Sequence, residues 1–388
     1  MAVKISDRMR NVQTPVIPVV QDLIKANPGT ISLGQGVVNY PPPKQVLQAV
    51  NYFKRSSELH KYQYVEGVAN LRDKIATKLE CENAANLTGR SIVVTAGSNM
   101  GFLNAVLAIA DPGDEFILVK PYFFNHQMAI TMLGCNTVTV DANANNQPVI
   151  DDIAQAISHK TRAVVTVSPN NPSGAVYSEA LLRGVSRLCC ENGLYHISDE
   201  AYEYFVYDDC VHYSPCAFDD AKENTIGLFS FSKSYGFASW RIGYMVIPQA
   251  LSESIRKIQD TNLICPPVVS QLAAVKALDI GREYCKSHIF KLEEVRAGID
   301  EQLLQLGDQV RVPKTDGAFY FLINVDTSMT SMQLVTRLIQ EFGVAVIPGS
   351  TFGLNNEICT VRIAYAALDK DSVMEAISRF VRGIRCLT

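Results

Sequence analysis

The sequence predicts an α/β protein: a large domain with a mainly parallel sheet covered by helices, plus a smaller α+β domain. Three observations predict it. From residue 91 to residue 247, short β-branched runs alternate with helical patterns, as strand–helix units of a parallel sheet do. After the amphipathic run His288 to Leu306 the order changes to strand, helix, strand, strand, helix. The length, 388 residues, exceeds one ordinary core.

Taken in order, residues 5–26 read as an arm and then an amphipathic helix from Pro18 to Ala26. A loop follows, Ile31-Ser32-Leu33-Gly34-Gln35-Gly36 through Tyr40-Pro41-Pro42-Pro43. Its glycines allow close backbone approach, and its prolines stiffen the exit. Helices are expected over Pro43–Ser57 and Ala69–Lys78. Strands are expected at Ser91–Thr95, Glu115–Val119, Asn136–Val140, Ala163–Val167, Leu194–Ser198, Ile226–Ser230 and Gly243–Ile247. The helices between them fall at Met100–Ala110, Tyr122–Leu133, Ile150–Ile157 and Glu179–Glu191. Leu251 to Ala277 is helical with a break at Pro266-Pro267. In the smaller domain, strands at Ala318–Val325, Val344–Ile347 and Thr360–Ala366 accompany helices at Met332–Phe342 and Ser372–Arg382. The expected division is 1–45 for the N-terminal arm and joining segment, 46–285 for the large domain and 286–388 for the small one. The His288–Leu306 helix connects the two domains.

Composition excludes several classes. A formal net charge of −4 leaves no basic footprint for nucleic acid or an anionic membrane. No apolar run is long enough to span a bilayer. The N-terminus has no apolar core followed by a small-residue cleavage site, so a cytoplasmic setting is expected. The ten cysteines are dispersed apart from Cys189-Cys190, and read as free thiols in a reducing compartment. Cys210, His212 and Cys216 lack a fourth ligand nearby, so no metal site is expected.

Ligands of open parallel sheets sit beyond the carboxyl ends of the strands. The residues just after each expected strand therefore carry the argument. Gly97, Ser98 and Asn99 begin a helix whose free amides would suit a phosphate; the same residues also make an ordinary cap. Ser168 to Gly174 contains Asn171 before a proline, which holds it extended so that its amide can be aimed; composition alone favours a plain turn. Asp199 follows apolar strand residues and needs a partner. Ser230, Ser232 and Lys233 end a further apolar run, and Arg241 follows eight residues later. Desolvation and nearby cations lower a lysine's pKa and make it nucleophilic toward carbonyls. A carboxylate, an amide, a phenol, an amine and a phosphate cup on one edge fit a phosphorylated aromatic aldehyde. The cup would take its phosphate, Lys233 its carbonyl and Asp199 its ring nitrogen.

Five segments carry a family resemblance: Asn170-Asn171-Pro172-Ser173-Gly174, Asp199-Glu200-Ala201-Tyr202, Ser230-Phe231-Ser232-Lys233, Trp240-Arg241-Ile242-Gly243-Tyr244 and Val361-Arg362-Ile363-Ala364. In this order and spacing the chain resembles the class I/II aminotransferases, pyridoxal-phosphate enzymes of fold type I, from about Ile31 to the last helix. The resemblance implies that Lys233 holds pyridoxal 5'-phosphate as a Schiff base and then shuttles the proton at the substrate Cα. It implies that Asp199 keeps the ring nitrogen protonated. Asn171 and Tyr202 then bond the ring oxygen, and Gly97, Ser98, Asn99, Ser230, Ser232 and Arg241 hold the phosphate. Phe123 stacks on the ring, although it also fits ordinary core packing. Tyr62 reaches the neighbouring subunit's phosphate, which implies a homodimer with shared sites, or else only stabilises the dimer. Arg362 forks the substrate α-carboxylate, with Gly36 approaching the same group.

The departures from the family pattern are Ser239 for glycine, Ser173 for threonine, and Asn99 where some aspartate-type members have a lysine. Asn99 weakens an aspartate reading, and the Leu33–Pro43 loop is similar to that of glutamine, kynurenine and aromatic aminotransferases; the resemblance thus implies a neutral donor, such as an aromatic amino acid, glutamine or methionine, to a 2-oxo acid. The alternatives are a C–S lyase of the same fold, which would release ammonia and pyruvate, and an aminotransferase-like regulatory module. The regulatory module is disfavoured, because only about thirty residues precede the first motif and no basic stripe is present.

Overall fold

The computed structural model describes residues 5–355 and 357–388. In chain order its strands are β1 (Ile31–Ser32), β2 (Arg90–Thr95), β3 (Glu115–Lys120), β4 (Asn136–Asp141), β5 (Thr161–Val167), β6 (Tyr195–Asp199), β7 (Thr225–Ser230), β8 (Gly243–Pro248), β9 (Val310–Arg311), β10 (Tyr320–Val325), β11 (Val344–Ala345), β12 (Ile347–Pro348) and β13 (Cys359–Ala364).

Among the described residues, the large sheet has seven strands in the order β2-β8-β7-β6-β5-β3-β4. The run from β7 to β4 is parallel, and β8 is antiparallel to both its neighbours. Since β8 reverses the sense twice, β2 runs the same way as β7. Thr95, Val167, Asp199 and Ser230 therefore all end on one edge of the sheet.

Both faces are buried, so the strands are apolar on both sides. Side chains alternate between faces with period 2. Val94, Tyr244 and Val246 pack under Leu71, Ile75 and Ala274 on one face. Val93, Met245 and Ile247 pack under Phe102, Val106 and Ile255 on the other. Each large apolar side chain enclosed this way contributes about 1.5–3 kcal/mol. Close packing also reaches the backbone: a Cβ at Gly243 would lie 2.5 Å from the Phe229 carbonyl oxygen and 3.0 Å from Gly97 Cα. Glycine here lets β2, β8 and β7 converge beneath the site.

The smaller sheet is antiparallel, in the order β12-β13-β10-β9. Leu338, Ile377 and Phe380 of its covering helices pack in one core with Phe321, Ile323 and Val361. The helix Ser331–Phe342 starts in a capping box between Thr330 and Gln333 and ends at Gly343 with φ 64°; both are ordinary helix punctuation. Arg362 lies opposite Leu322 of β10 and Ile347 of β12, so it projects from an interior strand.

Three expectations change. The connecting helix is Glu283–Leu304, not His288–Leu306; Gly281, at φ 77°, ends the preceding helix and lets the next begin at once. The strand expected over Val344–Ile347 is two: β11 pairs in parallel with β1, while β12 pairs with β13. The two-residue strands β1 and β9 and the short helix Asp7–Asn11 were not expected. Pieces this short show no periodicity. No helix among the described residues is long and apolar enough to cross a membrane.

Candidate active site

The strand ends open into a cavity of about 400 Å³. Its wall includes Ser98, Asn99, Phe123, Asn171, Asp199, Tyr202, Ser230, Ser232, Lys233, Arg241 and Arg362 from distant parts of the chain, with Gly36 from the N-terminal segment.

Lys233 sits in a single helical turn, Phe231–Ser234, which follows β7 directly. The Ser230 side chain caps that turn by accepting from Ser232 N at 3.1 Å. Lys233 Nζ donates to the Gly36 carbonyl. Burial, with help from Arg241 and Arg362 and against the pull of Asp199, lowers the Lys233 ammonium to about 8. At pH 7 roughly a tenth of such an amine is neutral, and the share rises as pH passes 8. An ordinary lysine would need about two further pH units.

Beside it, Arg241 takes a left-handed backbone at φ 48°. Its Nη1 donates to Ala238 O at 2.9 Å and to Ser232 Oγ at 3.4 Å, and its Nη2 to Ala96 O at 3.3 Å. Gly97, at φ 82°, caps the helix Ser98–Ile109, and a Cβ there would collide with Arg241 Nη2. The result is a cradle of helix-start amides, serine hydroxyls and one guanidinium. This combination suits a phosphate.

Asp199 is 3% exposed. Its Oδ1 accepts from Ala201 N at 3.1 Å, and its Oδ2 lies 3.1 Å from His126 Nε2. Tyr202 Oη is 2.6 Å from Tyr320 Oη, and Asn171 Nδ2 points to Tyr202 Oη at 3.5 Å. Burial, then the neighbouring Tyr320, push the Tyr202 phenol well above its ordinary value, so it stays neutral.

Arg362 is 3% exposed. Nη1 donates to Asn171 Oδ1 at 2.8 Å and Nη2 to Gly34 O at 2.7 Å. The guanidinium lies over Tyr320 at 4.5 Å and Phe352 at 5.0 Å, and its buried Nε has no partner. A buried fork with a spare donor and displaceable carbonyl partners can take a carboxylate. A Cβ at Gly36 would overlap the Tyr320 hydroxyl, so only glycine fits between that ring and Lys233.

Tyr62 does not join the cavity. It is 79% exposed and lines a separate hollow with Tyr64, Glu66 and Arg256. Gly97 shapes the cavity from behind without lining it. Sequence reasoning missed His126, Tyr320, Gln35, Phe124 and Asn125. A signal existed for His126: it stands three residues after Phe123 at a helix start, the spacing that stacks side chains on one face.

One edge of a mainly parallel sheet thus brings together a depressed-pKa amine, a buried carboxylate and a cradle suited to a phosphate. Comparison with known proteins makes this specific. Residues 28–380 match the family model for aminotransferase class I and II. The chain is 31% identical over 389 residues to an aromatic aminotransferase of Arabidopsis thaliana, covering 98% of this chain and 96% of that protein. It is 32% identical over 393 residues to an aspartate aminotransferase of Pyrococcus abyssi, covering 98% of each. Among solved structures, an aromatic aminotransferase from Pyrococcus horikoshii superposes with a TM-score of 0.87 at 30% identity, over 95% of this chain and 100% of that one. A Thermus thermophilus aspartate aminotransferase with maleate gives 0.89 at 27% identity, over 98% and 100%.

The chain belongs to the class I and II aminotransferases. It is a transaminase of fold type I, and its cofactor is pyridoxal 5'-phosphate. The residues present fit that group: the cradle that excludes a Cβ at Gly97 matches a phosphate, and the low-pKa amine of Lys233 matches an aldehyde.

Proposed function

We propose that Lys233 is the amine that bonds the cofactor, and that the enzyme moves an amino group from a neutral or aromatic amino acid to a 2-oxo acid. The observation that carries this is the Lys233 amine, held near a pKa of 8 inside a cavity that also contains Asp199, Arg241 and Arg362. Bound there, pyridoxal phosphate supplies an electron sink that makes the substrate Cα–H acidic.

In this reading Ser98, Asn99, Ser230, Ser232 and Arg241, with Gly97, hold the phosphate. Asp199, braced by His126 and the Ala201 amide, keeps a proton on the ring nitrogen. Asn171 and Tyr202 hold the ring oxygen, and Phe123 covers a ring face. Arg362 releases Gly34 O and grips the α-carboxylate, with Gly36 beside it. The Lys233 amine would take the proton from the substrate Cα and deliver it to the cofactor's C4′ position, so that the nitrogen can leave the substrate carbon. The divisions at residues 45 and 285 keep the phosphate cradle in the large domain and Arg362 in the small one.

The substrate side chain follows from what remains in the wall. The three cations lining the cavity among the described residues are Lys233, Arg241 and Arg362, and each already has a role. Left without a role are the apolar Ile17, Val37, Phe124, Val167 and Ala201, the Tyr320 phenol, and the carboxamides of Gln21, Gln35 and Asn125. That surface suits a neutral side chain and has no unassigned cation to pair with a second carboxylate. A donor screen against one fixed 2-oxo acid tests it. The best of phenylalanine, tyrosine, glutamine and methionine should exceed aspartate at least tenfold in kcat/KM, about 1.4 kcal/mol. A preference for aspartate would overturn the substrate class while leaving the reaction type intact.

The exposed Tyr62 supports a homodimer in which it reaches the partner's phosphate; Tyr52 and Tyr64, also exposed, would extend that contact. Sedimentation should give twice the chain mass of 42.7 kDa. An active species sedimenting as a single chain would exclude the shared site. All ten cysteines are free, which supports a cytoplasmic location.

A further inference from the structure

The one-turn helix Phe231–Ser234 is too short to satisfy its own last carbonyls. The Lys233 carbonyl receives Gly236 N only at 3.4 Å, and the adjoining Tyr235 amide also points to it. Its short bond comes from 193 residues away: the Tyr40 hydroxyl donates to it at 2.7 Å.

Tyr40 is itself tightly held. It is 7% exposed. Its ring stacks on His288 at 4.0 Å and 12° and meets Tyr284 edge-on at 6.0 Å. Its hydroxyl also lies 3.5 Å from Ser234 O and 3.8 Å from Cys285 Sγ. Tyr284 Oη donates to Pro41 O at 2.5 Å. The backbone of Tyr40 rests on Gly236, where a Cβ would come within 2.6 Å of Tyr40 O. Burial holds the phenol protonated, so it remains a donor.

The same segment is fixed at its other end to the strand that carries Arg362. Ala364 N donates to Leu33 O at 2.7 Å, Asn39 N to Ala366 O at 2.7 Å, and Arg362 Nη2 to Gly34 O. Residues 33–41 thus run as a strap from the Arg362 strand to the Lys233 turn.

We infer that Tyr40 is a positioning residue for Lys233, setting through the main-chain carbonyl where the amine stands when it bonds the cofactor. This rests on the assignment of Lys233 made above. The bond that forms joins Lys233 Nζ to the aldehyde carbon; the aldehyde oxygen leaves as water with the two amine protons. A misplacement of about 1 Å at the reacting atom is enough to cost such a step heavily. Ring packing alone does not require the hydroxyl; the bond to Lys233 O does.

Tyr40→Phe keeps the ring and removes the hydroxyl. The test measures two affinities of the cofactor-free protein. One is for pyridoxal 5'-phosphate. The other is for pyridoxamine 5'-phosphate, which has an amine in place of the aldehyde and forms no bond with Lys233. Tyr40→Phe should weaken the first roughly tenfold, the worth of one hydrogen bond, and change the second less than about twofold. His288→Ala, which keeps the hydroxyl, should leave the ratio of the two affinities near that of the unaltered protein. Equal weakening of both ligands by Tyr40→Phe, or no change in either, overturns the proposal. A His288→Ala ratio that moved as far would put the effect in the ring stack and overturn it too. If borohydride traps no bond at Lys233 in the unaltered protein, the Lys233 assignment falls and the proposal with it. Trapping there with an unchanged Tyr40→Phe ratio removes the proposal alone.

Discussion

Lys233→Ala is expected to lower kcat for transamination by about 10⁴-fold or more, the upper range for one positioned acid–base group. The loss is large because a single amine has two tasks: it bonds the aldehyde, and it moves the proton at the substrate Cα. Both depend on the neutral amine, a fraction of which burial and the adjacent Arg241 and Arg362 make available near physiological pH. No other lysine lines the cavity among the described residues, so no neighbour can substitute. The phosphate cradle stays, and the variant should retain noncovalent affinity for pyridoxamine 5'-phosphate. Retention of more than about a tenth of the activity would contradict the assignment.

Arg362→Ala is expected to reduce kcat/KM by roughly 30- to 10³-fold, or ~2–4 kcal/mol, as for removing one partner from a buried charge-assisted contact. The guanidinium is enclosed, faces two aromatic rings, and holds Asn171 Oδ1 and Gly34 O through separate nitrogens. Truncation would remove the carboxylate fork and leave both oxygens short of a donor. Arg362→Lys should recover part of the loss, because an ammonium keeps the charge without the planar fork. The selective readout is a pair of donors, an amino acid and the amine that lacks its carboxylate. Only the amino acid should suffer the full loss. Equal losses for the pair would mean that Arg362 acts on the fold and not on the carboxylate.

How much of this was legible depends on where each residue stands. Asp199, Ser230 and Lys233 follow apolar runs, and a polar group at that point of a strand demands a partner, so linear order was enough to single them out. The helix opened by Gly97 and Ser98 was visible for the same reason. The register that sets Thr95, Gly243 and Ser230 side by side was not, because β8 is antiparallel in a sheet whose pattern reads as parallel. Tyr320 lies in an ordinary apolar strand, and only the pairing of β10 with β13 brings it under Arg362. Tyr40 looked like part of a proline-stiffened loop. Its bond to the Lys233 carbonyl spans most of the large domain's sequence, and no local pattern encodes it. Tyr62 is the converse case: the family pattern gave it a role that one chain alone does not complete.

The most direct test of the account is reduction of the cofactor-loaded protein with borohydride, followed by digestion and mass analysis of the modified peptide. The account predicts one pyridoxyl-phosphate adduct per chain, on Lys233, absent from Lys233→Ala. An adduct on any other lysine, or full activity in protein that carries none on Lys233, would contradict it.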